Sequence, residues 1–245
     1  MRKSPTKDDD EAFLRSYKPE AFERPSVAVD VVCLTIKDSL LHVLLVKRGE
    51  PPFRGRWALP GGFVRVGKGA DRGESLDQAL ARELEEETGL SINEVYTEQL
   101  GAFGDPDRDP RMRVISVAYY ALVRAALVPL IRAGGDVSHT RWFSVAELTQ
   151  GESLAFDHTD ILQATLDRAR ADLDRTSIAF ELVDETFTIQ ELRAVHEAIR
   201  GVALDPGNFR KKFLRMIEDG LIEPARGKRA TASKPASVYR FAQST

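Results

Sequence analysis

Along GESLDQALARELEEETGL, residues 73–90, glutamates recur where a helix should be apolar. Carboxylates gathered this way do one kind of chemistry well, which is to hold a hard divalent cation through oxygen. The spacing carries the point. At roughly 100° per residue from Leu76, Leu80 and Leu84 fall at about 40° and 80°, with Ala79 near 300°. Glu83, Glu87 and Glu86 fall at about 340°, 20° and 280°, over the apolar arc, while Glu85 points away. Side chains three and four residues apart lie about 5–6 Å from one another. At an effective dielectric near 20, two carboxylates at that distance repel by roughly 3 kcal/mol, unless a cation sits among them. A solvated acidic face, the usual fate of a charge run, would occupy the opposite side of the helix.

The elements that must present these acids are legible. Ser75 and Gln78 form a capping box at the helix start, and Gly89 stops the helix after Thr88. Upstream, SVAVDVVCLTI, a KDS turn and LLHVLLVKR predict a β-hairpin, followed by a loop-rich PPFRGRWALPGGF. RVISVAYYALV predicts a strand, RWFSV a shorter one, and Phe156 to about Arg175 an amphipathic connecting helix. Thr188 and Glu191 form a second capping box opening FTIQELRAVHEAIRG. DPGNF reads as a turn, FRKKFLRMIEDG as a further helix, and the rest as a strand, a basic loop and a returning strand.

The 245 residues, with 42% hydrophobic and 30% charged, are those of an ordinary globular chain of one large domain or two modest ones. The lone Cys33 lies in an apolar run and reads as a core thiol. With no apolar run of about 18 residues and no hydrophobic signal core at the N-terminus, a cytoplasmic protein with no membrane partner is expected. Net charge is −3 but uneven: from Asn208 to Thr245 nine Lys/Arg face three Asp/Glu, leaving −9 on the first 207 residues. An acidic front and a basic tail imply different partners. Expected boundaries are a flexible segment 1–24, a first domain 25–155, a connecting helix 156–175 and a second domain 176–245.

Pro60-Gly61-Gly62, Glu74 and the run Arg82-Glu83-Leu84-Glu85-Glu86-Glu87-Thr88-Gly89-Leu90 together resemble the Nudix box. The resemblance implies an α/β/α sandwich with a mixed sheet, hydrolysis of a nucleoside diphosphate linked to another moiety, and Mg²⁺ or Mn²⁺ as cofactor. It makes Glu83, Glu86 and Glu87 metal ligands and catalytic groups, with Glu83 a possible base. Arg82 would orient a neighbouring carboxylate, the Gly62 carbonyl complete the coordination, and Glu74 support. One departure stands out: Gly62 precedes Glu74 by twelve positions rather than six, the extra residues lying within VGKGADRG. Either they form a surface bulge, or they displace Gly62 and weaken catalysis while leaving ligand binding.

Further residues suggest a substrate. Pro106 lies sixteen beyond Leu90, near where ADP-ribose-hydrolysing relatives carry a proline. Arg48, Arg54, Arg111 and Arg113 flank the expected cleft and suit bidentate contacts to phosphate; each is equally a surface arginine. Phe53 or Trp57 could stack on adenine, or Trp57 could be buried. Asp136 is a candidate for activating water on a later loop. None of the four histidines has metal-ligand spacing to a partner, and His158 reads as capping or packing.

In the tail, Phe209, Phe213, Met216 and Ile217 share one arc of a helix, Lys211, Lys212 and Arg215 the opposite arc, with Arg210 at an edge. That helix, with a basic hairpin bearing Arg226, Lys228, Arg229 and Lys234, resembles a winged helix-turn-helix presenting cations to a double-stranded DNA operator. A solvated basic face is the alternative. The two halves together, with YKPEAF, LAFDHTDIL, TSIAFEL and NFRKKFL, resemble the NrtR-type regulators of NAD metabolism. The resemblance implies a homodimeric repressor, α+β in class, whose Nudix domain senses ADP-ribose and retains scope to hydrolyse it. The alternative is a magnesium-dependent Nudix pyrophosphohydrolase acting on ADP-ribose or a related compound.

Overall fold

The computed structural model describes residues 7–67, 69, 71–131, 137–148, 153–173, 178–230 and 234–242. A first helix, α1 (Lys7–Ser16), is exposed where described. The hairpin forms as the sequence predicts: β1 (Ser26–Lys37) and β2 (Leu40–Arg48) pair antiparallel around Asp38 and Ser39, both at positive φ. Two left-handed central residues give the turn whose twist matches that of the strands. Short β3 (Trp57–Ala58) and β4 (Gly61–Phe63) return onto β2 and β1. Then come α2 (Leu76–Thr88), β5 (Tyr96–Phe103), β6 (Val114–Leu122), β7 (Val137–Ser144) and a single-turn α3 (Val145–Leu148).

Strand order is β3-β2-β1-β6-β5, with β4 also on β1 and β7 also on β2. β1 and β6 are parallel and the other pairs antiparallel, so the sheet is mixed. Alternation along the strands buries both faces. Val29, Val31 and Cys33 of β1 and Tyr119 and Ala121 of β6 pack against Ala79, Leu80 and Leu84 of α2. Val32, Leu34, Ala118, Tyr120 and Leu122 point the other way, onto Ile161, Leu162 and Leu166 of α4 (His158–Asp172). This is the expected α/β/α sandwich. Cys33 is wholly buried, and burial pushes its thiol up to about 12, so it serves packing.

The helix read as a connector is thus also the second covering layer of the sheet. Its apolar cluster continues into Leu192, Val195 and Ile199 of α5 (Ile189–Arg200) and Phe209 and Phe213 of α6 (Pro206–Glu218). β8 (Ile222–Arg229) and β9 (Ala236–Phe241) close this C-terminal unit as an antiparallel pair, with Phe187 bridging to Tyr239. Two helices and a hairpin make a winged helix.

Three local readings change. DPGNF is not a free turn: Asp205 accepts from the Asn208 amide, and α6 starts at Pro206, where a missing N–H costs nothing. β7 begins at Val137, earlier than RWFSV suggested, because it pairs along most of β2. β5 was not anticipated; its residues show no clean alternation of burial and its register shifts near Gly101. Among the described residues no helix is long and apolar enough to cross a membrane.

Candidate functional site

α2 is fixed at both ends. The Ser75 amide donates to Gln78 Oε1 (2.8 Å), the Gln78 amide to Ser75 Oγ (3.2 Å), and Gly89 closes the helix at φ 74°. With Ala79, Leu80 and Leu84 locked into the core, rotation about the helix axis is set, and Glu83, Glu86 and Glu87 all face one cavity of about 570 Å³. Their depths differ: Glu83 is buried, Glu87 half-buried, and Glu86 at the rim.

Arg82 organises two of them. It donates to both oxygens of Glu74 (2.9 and 2.5 Å), to Glu83 (2.6 Å), to Glu86 (3.1 Å) and to the Phe63 carbonyl (3.1 Å). These hydrogen bonds hold the Glu74 carboxyl down to about 2. Burial pushes Glu83 the opposite way, against the pull of Arg82. Glu87 accepts from the Gly61 amide (2.9 Å); burial pushes its carboxyl up to about 8, against a weaker pull from Arg48.

The lengthened loop leaves this arrangement undisturbed. Arg65 donates its amide to Glu74 Oε1 (2.7 Å), and the Glu74 amide donates back to the Arg65 carbonyl (3.0 Å). The additional residues leave and re-enter through that two-bond neck, where Gly67 and Gly73 approach each other too closely for a Cβ on either. Gly62 remains against Glu83; a side chain there would collide with the carboxylate.

Of the other residues expected to contact substrate, Arg48, Gly62 and Arg111 line the cavity. Arg111 stacks over Phe63 (5.2 Å to the ring centroid), and Arg48 over Phe156 (4.8 Å). Four do not line it. Trp57 is half-buried and packs edge-on against Phe143 at the border of the core. Phe53 turns edge-on to Phe156 behind the wall, Arg54 is engaged with the Gly49 carbonyl, and Arg113 stands exposed at the start of β6. Asp136 lies outside the described residues.

The sequence reading missed the cavity floor. Asp30, on β1, accepts from Ser116 and from Arg108 (3.1 Å), and Arg108 also grips both oxygens of Asp157 (2.8 and 2.6 Å). His158 Nδ1 accepts the Leu59 amide (2.8 Å), which leaves the proton on Nε2, 3.4 Å from Asp30. Burial lowers the pKa of this imidazole and keeps it neutral. It lines the cavity and ties the Leu59 amide to the start of α4. The quoted LAFDHTDIL was the available signal.

Among the described residues no three of His, Cys, Asp and Glu converge into a ready-made cage. The donor set fits a metal that keeps its waters and shares substrate phosphates, since hard oxygens line one wall and Arg48 and Arg111 lie among the cavity's other lining residues.

In the winged helix, Arg210, Lys211 and Arg215 are exposed on α6 and Lys212 is half-buried; Lys228 and Lys234 are exposed at the hairpin. Arg229 is otherwise engaged. It donates to Glu191 (2.7 Å) and to the Thr186 carbonyl (2.8 Å), pinning the hairpin to the start of α5. Arg229→Ala is therefore expected to lower thermal stability by about 1 kcal/mol, as a half-exposed pair would. The salt dependence of DNA binding should stay unchanged; a slope reduced by about one would make Arg229 a phosphate contact instead.

Residues 24–165 match the NUDIX domain and residues 179–241 the NrtR DNA-binding winged helix domain. The chain is thus a Nudix protein with a DNA-binding-type module attached. Specifically, it belongs to the NrtR-type family. It is 32% identical, over 95% of its length and 88% of the relative's, to the ADPR responsive transcriptional repressor NtrR of Acinetobacter baylyi. The crystal structure of Shewanella oneidensis NrtR superposes with TM-score 0.71 at 32% identity, covering 88% of this chain and 94% of that one. An ADP-ribose pyrophosphatase of Methanocaldococcus jannaschii is 38% identical over 61% of this chain and 77% of its own.

Proposed function

We propose that this protein is an ADP-ribose-responsive repressor: its Nudix cavity takes the nucleotide, and its winged helix binds duplex DNA. The observation that carries this is a glutamate- and arginine-lined cavity and a cation-bearing helix joined through one apolar core. Two facts about relatives support it. The Acinetobacter protein is described as ADPR-responsive, and Shewanella NrtR has been crystallised with a 27mer DNA and, as its isolated Nudix domain, with ADP ribose. A homodimer reading a two-fold operator is the expected assembly. The test is fluorescence anisotropy on a duplex selected by the protein from random DNA. ADP-ribose should release it, and no preference over random duplex would end the proposal.

Glu83, Glu86 and Glu87 would hold Mg²⁺ or Mn²⁺, with Arg48 and Arg111 on the diphosphate. The ion supplies charge neutralisation on the phosphates and a more acidic bound water. The residues' share is positional: Arg82 orients Glu83 and Glu86, and the Gly61 amide orients Glu87. A second reading, hydrolysis of ADP-ribose to AMP and ribose 5-phosphate, is favoured by this intact set of acids and by the M. jannaschii relative. The two readings are compatible, since a sensor can consume its signal.

Glu87 sets a pH dependence. A cation needs this carboxylate ionised, so binding below about pH 8 displaces a proton. Mn²⁺ affinity is expected to rise toward pH 8, by up to about tenfold per unit, and then level off. The folded pKa lies above the ordinary 4.5, so as pH rises the unfolded chain loses this proton first. Glu87 therefore lowers metal-free stability across about pH 4.5 to 8, and added cation should restore it. Calorimetry in two buffers of different ionisation heat counts the proton. An affinity indifferent to pH, or unaltered in Glu87→Gln, would remove Glu87 from the ligands.

A further inference from the structure

Three segments far apart in sequence meet behind the cavity. One is the loop carrying Arg108, Asp109 and Arg111; another is β1, through Asp30; the third is Phe156-Asp157-His158, where α4 begins. Arg108 keeps only 4% of its side chain exposed and bridges the two carboxylates. Asp157 is the residue at which α4 starts, where an Asp ordinarily accepts from its own helix. Here it makes no such bond; both its oxygens go to Arg108. The Asp157 carbonyl accepts from the Asp160 and Ile161 amides, while its carboxylate ties the helix start to the cavity loop instead of capping it.

Phe156, immediately before it, lines the cavity beneath Arg48 and within 5.8 Å of Arg111. Its φ of 54° is a left-handed conformation that a side chain of this size rarely adopts, and such residues persist only where surroundings impose them. A ligand that draws on Arg111 or displaces the Phe156 ring thus pulls on the loop or on the helix start. At its other end α4 meets the DNA-binding unit. Leu166 and Ala169 share a cluster with Leu192, Val195 and Ile199, and Arg170 donates to the Ile199 carbonyl (3.3 Å).

We infer that the Arg108–Asp157 clamp is the coupling device of this protein: it fixes the start of α4 according to what the cavity holds, and α4 carries that state about 22 Å to α5 as a rigid rod. This rests on the proposed ADP-ribose-responsive DNA binding. A clamp that only stabilised the fold would leave the communication between the two ligands untouched, whereas a coupling clamp can be broken with each ligand still bound by itself.

The experiment uses the full chain and the selected duplex. ADP-ribose binding is followed by calorimetry, and DNA binding by anisotropy with and without saturating ADP-ribose. In the parent protein the nucleotide should weaken DNA binding by a factor in the usual range of about 5 to 150. In Arg170→Ala, an exposed change at the far end of the rod, each ligand alone should bind within about threefold of the parent, while that factor falls below about two. Asp157→Asn should reduce the factor similarly, whatever it does to nucleotide affinity. A factor preserved in the folded variants overturns the coupling role alone. No effect of ADP-ribose on the parent's DNA binding overturns the functional proposal and the coupling role with it.

Discussion

Replacing Arg210, Lys211 and Arg215 together with alanine should weaken duplex binding by two to three orders of magnitude for each half-site near 0.1 M salt. All three stand exposed on α6, whose opposite face is held in the core by Phe209 and Phe213. Each cation that neutralises a phosphate releases counterion and contributes about 0.9 to the slope of log affinity against log salt. Three such contacts on one protomer make about 2.7 in slope, which at tenth-molar salt is roughly 500-fold for each half-site. Anisotropy titrations from 0.05 to 0.3 M salt measure both quantities. The fold should be unaffected, since none of the three is buried. A large loss of affinity with an unchanged slope would mean that these side chains read bases; an unchanged affinity would move the DNA interface off α6.

Arg82→Ala should be strongly destabilising in the Nudix half. Arg82 serves Glu74, Glu83 and Glu86 at once, from a side chain that is 14% exposed. Removing one partner of a buried ion pair leaves the other charge uncompensated, at about 3 kcal/mol for a pair with some water access. For a chain of this size that lowers Tm by about 6–12 °C. The loss should be partly reversible by a divalent cation, because the abandoned carboxylates are the proposed ligands. Scanning calorimetry of parent and variant, each with and without 5–10 mM Mg²⁺ (about the concentration that saturates a weak site), tests both parts. If Mg²⁺ raises the parent's Tm as much as the variant's, the cation does not substitute for the guanidinium.

What the sequence disclosed follows the range of the interactions. The Ser75–Gln78 and Thr188–Glu191 capping boxes, the Asp38-Ser39 turn and the glutamate register of α2 depend on neighbours within four residues, and each is present in the structure. The cavity floor does not follow local rules. Arg108 reaches Asp157 across 49 positions and Asp30 across 78, so no local pattern encodes the network. A charge-rich DPDRDPR loop and the FDH tripeptide were visible, but nothing in either names its partner. Trp57 and Phe53 show an ambiguity of the converse kind: an aromatic beside a Gly-Pro-rich loop has the composition of a stacking platform or of a packed residue, and only packing shows that these two face Phe143 and Phe156. Arg229 likewise counts toward a basic tail by composition, while Glu191 has already claimed it. β5 escaped because strand recognition needs alternation, and a strand with mixed burial on both faces offers none.

The neck at Arg65 and Glu74 has an evolutionary consequence. The two amide bonds between Arg65 and Glu74 restore the path before α2 begins, so extra length near Gly69 need not reach the carboxylates. Insertions there should drift freely in length among descendants of this gene, and a peptide tag grafted at that point should be carried without harm. The two flanking glycines, Gly67 and Gly73, by contrast, mark where such drift must stop.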